Sequence, residues 1–523
     1  MAYLRFFSDF GAVNSRSKWL RGLVWRAELG VRRAATSLAG VAACGLTLAH
    51  AALPGVVTEA LAKAGLPEDS IGLVIERVSD ERTLFSHQAE RSFQTASTIK
   101  LLTTAVALER LGPVYRGRTE LRSAAAINGE LLQGDLVLRG LADADLNTAA
   151  FRGMLQSLRQ QGIVEISGDL VLDRTFFSPP RIDLGVPPFD EFPEFQYNVI
   201  PDALLLDNNL IDLSMESTSE GFTVRMNPAL DRVVLASGMT LIDGICKDWE
   251  DSWKIPLVER LADGTLRVVL QGSYPRGCKA TTRINILDRT DFIDRLFRSL
   301  WREMGGRFSG VTREAPTPVL TRLLAEHRSR ALPEIVRDIN KPSDNALTRS
   351  LLMTLGTLAR DGDAAATSTA RGEQVVRGWL RERGIPDAGL ALDNGSGLSR
   401  TERLPPRMLA DVLRVMHKSE WAPEFLSSLP IVGVDGTMRN RLKDSTATGR
   451  ARVKTGTLRD VVSVAGYVRN ADGELCILVA VVNHPQASHK IARPVLDALI
   501  EWLSQQPGPA PLTWWQRAFG TNN

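Results

Sequence analysis

Cysteine is scarce in this chain, with four in 523 residues; no C-x-x-C or H-E-x-x-H spacing occurs, and the six histidines are scattered. That removes the usual ligand patterns of a structural or catalytic zinc, and nothing else calls for a cofactor. An excess of one charge is also missing, since 63 Lys and Arg stand against 60 Asp and Glu for a net +3. Seven of those basic residues and two of the acidic ones lie before Ala52, so the rest of the chain carries −2. A nearly neutral chain without a basic arm offers no electrostatic case for nucleic acid. The apolar run Ala34 to Leu48 is short for a membrane-crossing helix,. With 44% hydrophobic and 24% charged residues, the composition is that of a globular protein of roughly two to four domains,.

Residues 1–51 read as a secretory signal. Arg16, Lys18, Arg21, Arg26, Arg32 and Arg33 precede the apolar run, and Ala49-His50-Ala51 supplies a small-residue cleavage site,. The expected location is the periplasm. Three alternatives stay open: a twin-arginine signal at Arg32-Arg33, lipidation at Cys44 within Val41-Ala42-Ala43-Cys44, and a retained anchor,. In an oxidising compartment Cys246 and Cys278, which flank a stretch rich in Asp, Arg and Gly, are expected to form a disulfide worth about 3 kcal/mol,. Cys476, inside Leu475-Cys476-Ile477-Leu478-Val479, reads as a buried small hydrophobe,.

Along the chain, Ile71 to Glu76 and Thr83 to Phe85 read as a hairpin. Ser97 opens a helical pattern through Leu101, Leu102, Ala105 and Leu108 that Gly112-Pro113 stops, which puts Lys100 one turn after Ser97 on the same face,. Residues 116–316 read as a largely β insertion with an inner part at about 205–280, closed by a helix from Thr290 to Met304. Gly-Asp-Leu-Val-Leu occurs twice in it, at Gly134 and Gly168. Helical patterns resume at Leu320 to Glu326 and Leu332 to Ile339. Arg452 to Thr457, Val461 to Val468 and Glu474 to Val482 read as strands, and Ile491 to Leu503 as a final helix. Residues 52–115 and 317–506 would then form one discontinuous domain. The tail 507–523, with Trp514, Trp515 and Phe519, could contact a membrane surface or cell-wall machinery, though a disordered terminus is the more frequent case.

Three strings carry chemistry. A serine hydroxyl needs a base and donors for the tetrahedral oxyanion, and Ser97 with Lys100 in Ser97-Thr98-Ile99-Lys100 can meet on one helical turn. The lysine serves as base only when neutral, which burial and a nearby cation such as Lys454 would favour. Ser343-Asp344-Asn345 gives Ser343 a proton-shuttle role and Asn345 a hydrogen bond to substrate backbone. In Lys454-Thr455-Gly456, Lys454 and Thr455 would hold a terminal carboxylate, and Gly456 would let a ligand backbone approach. The N–H groups of Ser97 and Thr457 would form the oxyanion hole. Each string alone has a bland reading: S-x-x-K arises by chance roughly once or twice in such a length, and Ser, Asp and Asn crowd at turns and N-caps. Their order, on helix, turn and strand, is what favours the functional reading.

S-x-x-K, S-D-N and K-T-G are the strings of β-lactam-recognising serine enzymes. With Lys341-Pro342, Asp393-Asn394-Gly395-Ser396-Gly397-Leu398-Ser399-Arg400, Gly433-Val434-Asp435-Gly436-Thr437 and Val453-Lys454-Thr455-Gly456-Thr457-Leu458 around them, the chain resembles the D-alanyl-D-alanine carboxypeptidase/endopeptidase family of low-molecular-mass, class C penicillin-binding proteins (penicillin-binding protein four type). The resemblance implies an α/β multidomain protein: a transpeptidase-like antiparallel sheet flanked by helices, interrupted by a two-part insertion. It also implies a Ser97 acyl-enzyme, with peptidoglycan stem peptides and β-lactams as partners. Where that family often has a Gly-Gly-Asp-Pro-like turn, Gly140 to Leu146 differs. Asp143-Ala144-Asp145-Leu146-Asn147 resembles the E-x-x-L-N element of class A β-lactamases only by coincidence, with Asp for Glu and a place in the expected insertion.

A β-lactamase is disfavoured because no deacylating base is visible, and a non-catalytic scaffold because the catalytic strings are complete. Carboxypeptidase against endopeptidase action, and oligomeric state, stay open.

Overall fold

The computed structural model describes residues 53–359 and 366–508. The signal-segment reading, Cys44 and nearly all of the tail lie outside the described residues. β1 (Ile71–Arg77) and β2 (Thr83–His87) form the expected hairpin, and β3 (Ala451–Leu458), β4 (Val461–Arg469) and β5 (Leu475–Asn483) complete one sheet with them. Its order is β3-β4-β5-β1-β2 and every pair is antiparallel.

Period-two alternation gives this sheet two buried faces. Ile71, Leu73 and Ile75 with Leu478, Ala480 and Val482 face α1 (Gly55–Ala64) and the closing helix Arg493–Gln505, and the free Cys476 packs there. Val74, Ile477, Val479 and Val481 face the opposite layer, made of α2 (Lys100–Leu111), α3 (Leu332–Asn340), α4 (Asn345–Gly356) and α5 (Pro406–Lys418). β3 is an edge strand whose first half is bridged by residues 430–432, through Val453 N on Pro430 O and Val432 N on Ala451 O, which leaves its backbone from Thr455 to Thr457 for a ligand,.

The chain between β2 and β3 builds further sheets. The two Gly-Asp-Leu-Val-Leu copies become parallel neighbours in register, Leu136 opposite Leu170 and Leu138 opposite Leu172. The helix Thr148–Gln160 crosses between them, capped by Asn147 and buried along Phe151, Met154, Leu155 and Leu158. The largely β expectation for this region omits that helix. Helical expectation also fails at Leu320 to Glu326: Arg322–Arg328 is a strand paired antiparallel with Arg118–Ser123. The insertion's own sheet therefore runs past residue 316. The inner part holds a three-stranded sheet (Phe222–Asn227, Ile211–Ser217, Lys279–Ile284) and a four-stranded one, and Cys246 and Cys278 are bonded beside them.

Candidate functional site

Ser97 lies in a 3-10 turn, Ala96–Ile99, that runs into α2 rather than in the α-helix itself. Ala96 just before it has φ 44°, a left-handed conformation that costs a non-glycine residue energy and fixes the direction in which Ser97 points,. Ser97 is half-buried, whereas Lys100 is 0% exposed. Lys100 Nζ lies 3.1 Å from Ser97 Oγ and 2.7 Å from Asn345 Oδ1, and it also donates to the Ser396 carbonyl. Burial pushes its pKa down from the ordinary lysine range to about 7. Asp344 and Glu402 oppose that shift and Arg349 assists it. Arg349, on α4, is thus an assisting cation beyond the expected Lys454, which shares a charge repulsion with Lys100.

Ser343 approaches from the turn before α4 and Asn345 from the first position of that helix. Asp344 is the N-cap of α4, accepting from Leu347 N at 2.8 Å, so the bland capping reading of S-D-N is true of its aspartate,. Ser343 has φ 71° and accepts from Lys454 Nζ at 2.8 Å. Asn345 was expected to meet substrate backbone, yet both ends of its amide are engaged: Oδ1 on Lys100, and Nδ2 donating to the Tyr197 carbonyl at 2.9 Å. Tyr197 belongs to the insertion, so that segment reaches the site.

Lys454 is 0% exposed and donates to the Thr455 carbonyl at 2.7 Å as well as to Ser343. Burial, with the Lys100 charge second, holds its pKa well below the lysine range. Val453 N donates to Pro430 O, away from β4. By the alternation of an antiparallel strand, the N–H groups of Thr455 and Thr457 face the same open side. Thr455 Oγ1 donates to Thr437 Oγ1 at 2.8 Å, and Thr437 is held by its N–H on the Lys341 carbonyl while Lys341 pairs with Asp435.

At Gly456 the close approach comes from the protein's own chain and not from a ligand. A Cβ there would stand 2.3 Å from Ser463 Oγ, 2.7 Å from Thr95 O and 2.9 Å from Ser97 N. Gly456→Ala is expected to push β3 off the nucleophile's backbone and lower the rate of covalent penicillin labelling by about 10²-fold, with most of the loss in the acylation step; stopped-flow labelling against drug concentration separates that step from binding.

The structure therefore brings Ser97, Lys100, Ser343, Asn345, Lys454, Thr455, Gly456 and Thr457 to one place. It leaves Asp143 and Asp145 elsewhere, bonded to His327 and Arg330 at the insertion junction. Sequence reasoning missed Tyr197, Arg349 and Glu402, and Thr437 entered only within the string Gly433 to Thr437, without a role. A cleft of about 950 Å³ is lined by Tyr197, Arg283, Ser343 and Asn345, and a second of about 880 Å³ by Arg349, Asn394, Ser399 and Arg400.

A family model described as the D-Ala-D-Ala carboxypeptidase 3 (S13) family matches residues 53–506. D-alanyl-D-alanine carboxypeptidase DacB of Haemophilus influenzae is 28% identical over 425 residues, covering 80% of this chain and 86% of that protein. A D-alanyl-D-alanine carboxypeptidase of Actinomadura sp. is 28% identical over 454 residues, covering 84% and 81%. The crystal structure of Haemophilus influenzae penicillin binding protein 4 (dacB) superposes with a TM-score of 0.72 at 25% identity, covering 86% of this chain and 99% of that one. A structure of that protein complexed with a β-lactam gives 0.68 at 24%, with the same coverage.

Proposed function

The chain belongs to the D-Ala-D-Ala carboxypeptidase 3 (S13) family, and from that premise we propose how its residues divide the work of a penicillin-binding serine DD-peptidase. Ser97 Oγ attacks the carbonyl of the penultimate D-alanine and passes its proton to Lys100. The resulting oxyanion sits between the N–H groups of Ser97 and Thr457. The leaving amine takes the Ser343 hydroxyl proton, Lys454 replaces it across their 2.8 Å hydrogen bond and is restored by the proton held on Lys100, and water then hydrolyses the acyl-enzyme as Lys100 takes the water's proton and returns it to Ser97 Oγ. Thr455, beside Thr437, and Lys454 hold the terminal carboxylate. The observation that carries this reading is the buried Lys100 amine, brought to a pKa of about 7 and set 3.1 Å from Ser97 Oγ.

We read residues 53–115 and the chain after Arg328 as one discontinuous catalytic domain around an insertion. The cell-wall substrate puts the enzyme outside the cytoplasm. A periplasmic location rests on the basic-then-apolar pattern before Ala52, and among the described residues no helix is long and apolar enough to cross a membrane. Tail contact with a membrane or with cell-wall machinery rests on Trp514, Trp515 and Phe519 alone.

Uncross-linked pentapeptide and a cross-linked muropeptide dimer, incubated separately with the enzyme and followed by mass, test the reading. Release of D-alanine or of monomers is expected. Inertness toward both, with no penicillin adduct, would overturn it.

The lysine also sets a pH dependence. Its folded pKa is below the free value, so the neutral base accumulates as pH rises through about 7. Acylation by penicillin should therefore increase about tenfold per pH unit on the acid side and level off above pH 7, as stopped-flow labelling from pH 5 to 9 would record.

A further inference from the structure

Beside the nucleophile's base, the proposed mechanism leaves the buried carboxylate of Glu402 without a role. Glu402 is 2% exposed, and all its hydrogen bonds are to backbone N–H groups. Its Oε1 accepts from Asp393, Asn394 and Gly395 at 3.2, 2.9 and 2.5 Å, and Oε2 accepts from Gly397 at 2.7 Å. The four donors favour the anion, while burial is the larger effect and raises the carboxyl's pKa above the ordinary range.

The loop so gathered, residues 393–397, is packed directly on the nucleophile. Gly397 has φ 78°, and a Cβ on it would stand 2.0 Å from Ala96 O and 2.7 Å from Ser97 N. The Gly395 carbonyl accepts from Thr103 Oγ1 at 2.8 Å, one turn beyond Lys100 on α2. Between these two anchors the Ser396 carbonyl accepts from Lys100 Nζ.

A neutral amine has two N–H bonds and one lone pair. Lys100 Nζ has three neighbours: Asn345 Oδ1, the Ser396 carbonyl and Ser97 Oγ. The first two can only accept, so they take the two hydrogens. What remains for Ser97 is the lone pair, which is the geometry a base needs to receive the hydroxyl proton. The Ser396 carbonyl is thus half of the device that aims the base; Ser396 is pinned by its N–H and Oγ on Asn394 Oδ1 at 3.1 and 2.6 Å and by Leu398 N on its Oγ at 3.2 Å, and Asn394 is in turn held by its N–H on Glu402.

We propose that Glu402 is a positioning residue for acylation: by gathering the N–H groups of residues 393–395 and 397 it holds the Ser396 carbonyl between them on Lys100 and so turns the amine lone pair toward Ser97 Oγ. The inference rests on the acyl-enzyme reading above. Glu402→Gln keeps the volume but replaces one acceptor by an NH₂ that opposes a backbone N–H, and it removes a negative charge. The charged groups around Lys100 are Asp344 from the turn before α4, Arg349 from α4, Lys454 from β3 and Glu402 from this loop. Losing Glu402 alone disfavours the ammonium form.

Covalent labelling by penicillin, measured with wild type and Glu402→Gln across pH 5 to 9, tests this. The expected result is a 10- to 100-fold slower acylation step per active site, unchanged reversible binding, and an acid limb displaced to lower pH. Thr103→Val, which frees the Gly395 carbonyl and leaves the Glu402 charge in place, should slow acylation several-fold without moving the limb, and it serves where Glu402→Gln does not fold. A lower fraction of active enzyme that labels at the wild-type rate, with the limb unmoved, would make Glu402 merely structural and overturn the inference, as would a wild-type rate in Thr103→Val. Failure of the wild-type enzyme to form any adduct would instead overturn the acyl-enzyme reading itself.

Discussion

Ser97→Ala is expected to abolish the Ser97 penicillin adduct and to lower peptidase turnover by on the order of 10⁴- to 10⁶-fold, the range seen when a serine nucleophile is removed. The hydroxyl is the only atom lost, and the surroundings of Ser97 predict little structural cost. It is half-buried, Lys100 Nζ keeps Asn345 Oδ1 and the Ser396 carbonyl, and the 3-10 turn is held by backbone and by the Thr98 hydroxyl on Thr95 O at 2.8 Å. The melting temperature should therefore stay close to wild type. The clefts and the β3 edge are intact in such a variant, so penicillin should still bind reversibly. Intact-protein mass spectrometry after incubation with penicillin, together with D-alanine release from pentapeptide, reads both effects. A variant that still acquires the penicillin mass would put the nucleophile elsewhere; lost adduct together with lost folding would leave the chemistry to be tested by the lysine variant below.

The sheet was legible because both its faces are buried. Runs such as Ile71 to Ile75 and Leu475 to Val482 have few polar positions, and flanking turns bound them, so strand length and place follow from the sequence,. Arg322–Arg328 was not legible for the opposite reason. Leu323, Leu324, Ala325 and Glu326 favour a helix by propensity, and the register shift between Leu323 and Ala325 buries Leu324 and Ala325 side by side, erasing the alternation that marks a strand. Pairing with Arg118–Ser123 decides the matter, and that partner lies about 200 residues away. In the site, the residues that present side chains to one another were readable from their strings. The Ser396 contribution was not, because a backbone carbonyl has no sequence identity. Glu402 and Arg349 act through charge inside a buried volume, and only the fold says which charges share it. Tyr197 likewise contributes a carbonyl, delivered by an insertion whose docking no local pattern announces. A carboxylate two residues after Ser399-Arg400, in a loop with glycines at Gly395 and Gly397 free to bring N–H groups together, is the one signal that could have pointed to Glu402.

Lys100→Gln should slow acylation by about 10³-fold while leaving the nucleophile in place, which separates the base from the serine. The glutamine amide can still donate toward the Asn345 Oδ1 and Ser396 carbonyl acceptors, but it has no basic nitrogen to receive the Ser97 proton. Removing the buried amine also removes the group that titrates near 7, so the residual rate should lose the acid limb seen in wild type. Lys454 gains by the same change. The Lys100 charge is one of the causes that depress it, so in the variant its pKa should rise toward the ordinary lysine range, limited by its burial. Lys454 does not replace the lost base: its hydrogen bonds go to Ser343 Oγ and the Thr455 carbonyl, not to Ser97. Single-turnover labelling of Lys100→Gln from pH 5 to 10 measures the rate and the limb together. A flat, about 10³-fold slower profile assigns proton abstraction to Lys100. A profile that retains its limb near pH 7 would assign the titration to another group, with Lys454 acting through Ser343 the first to test.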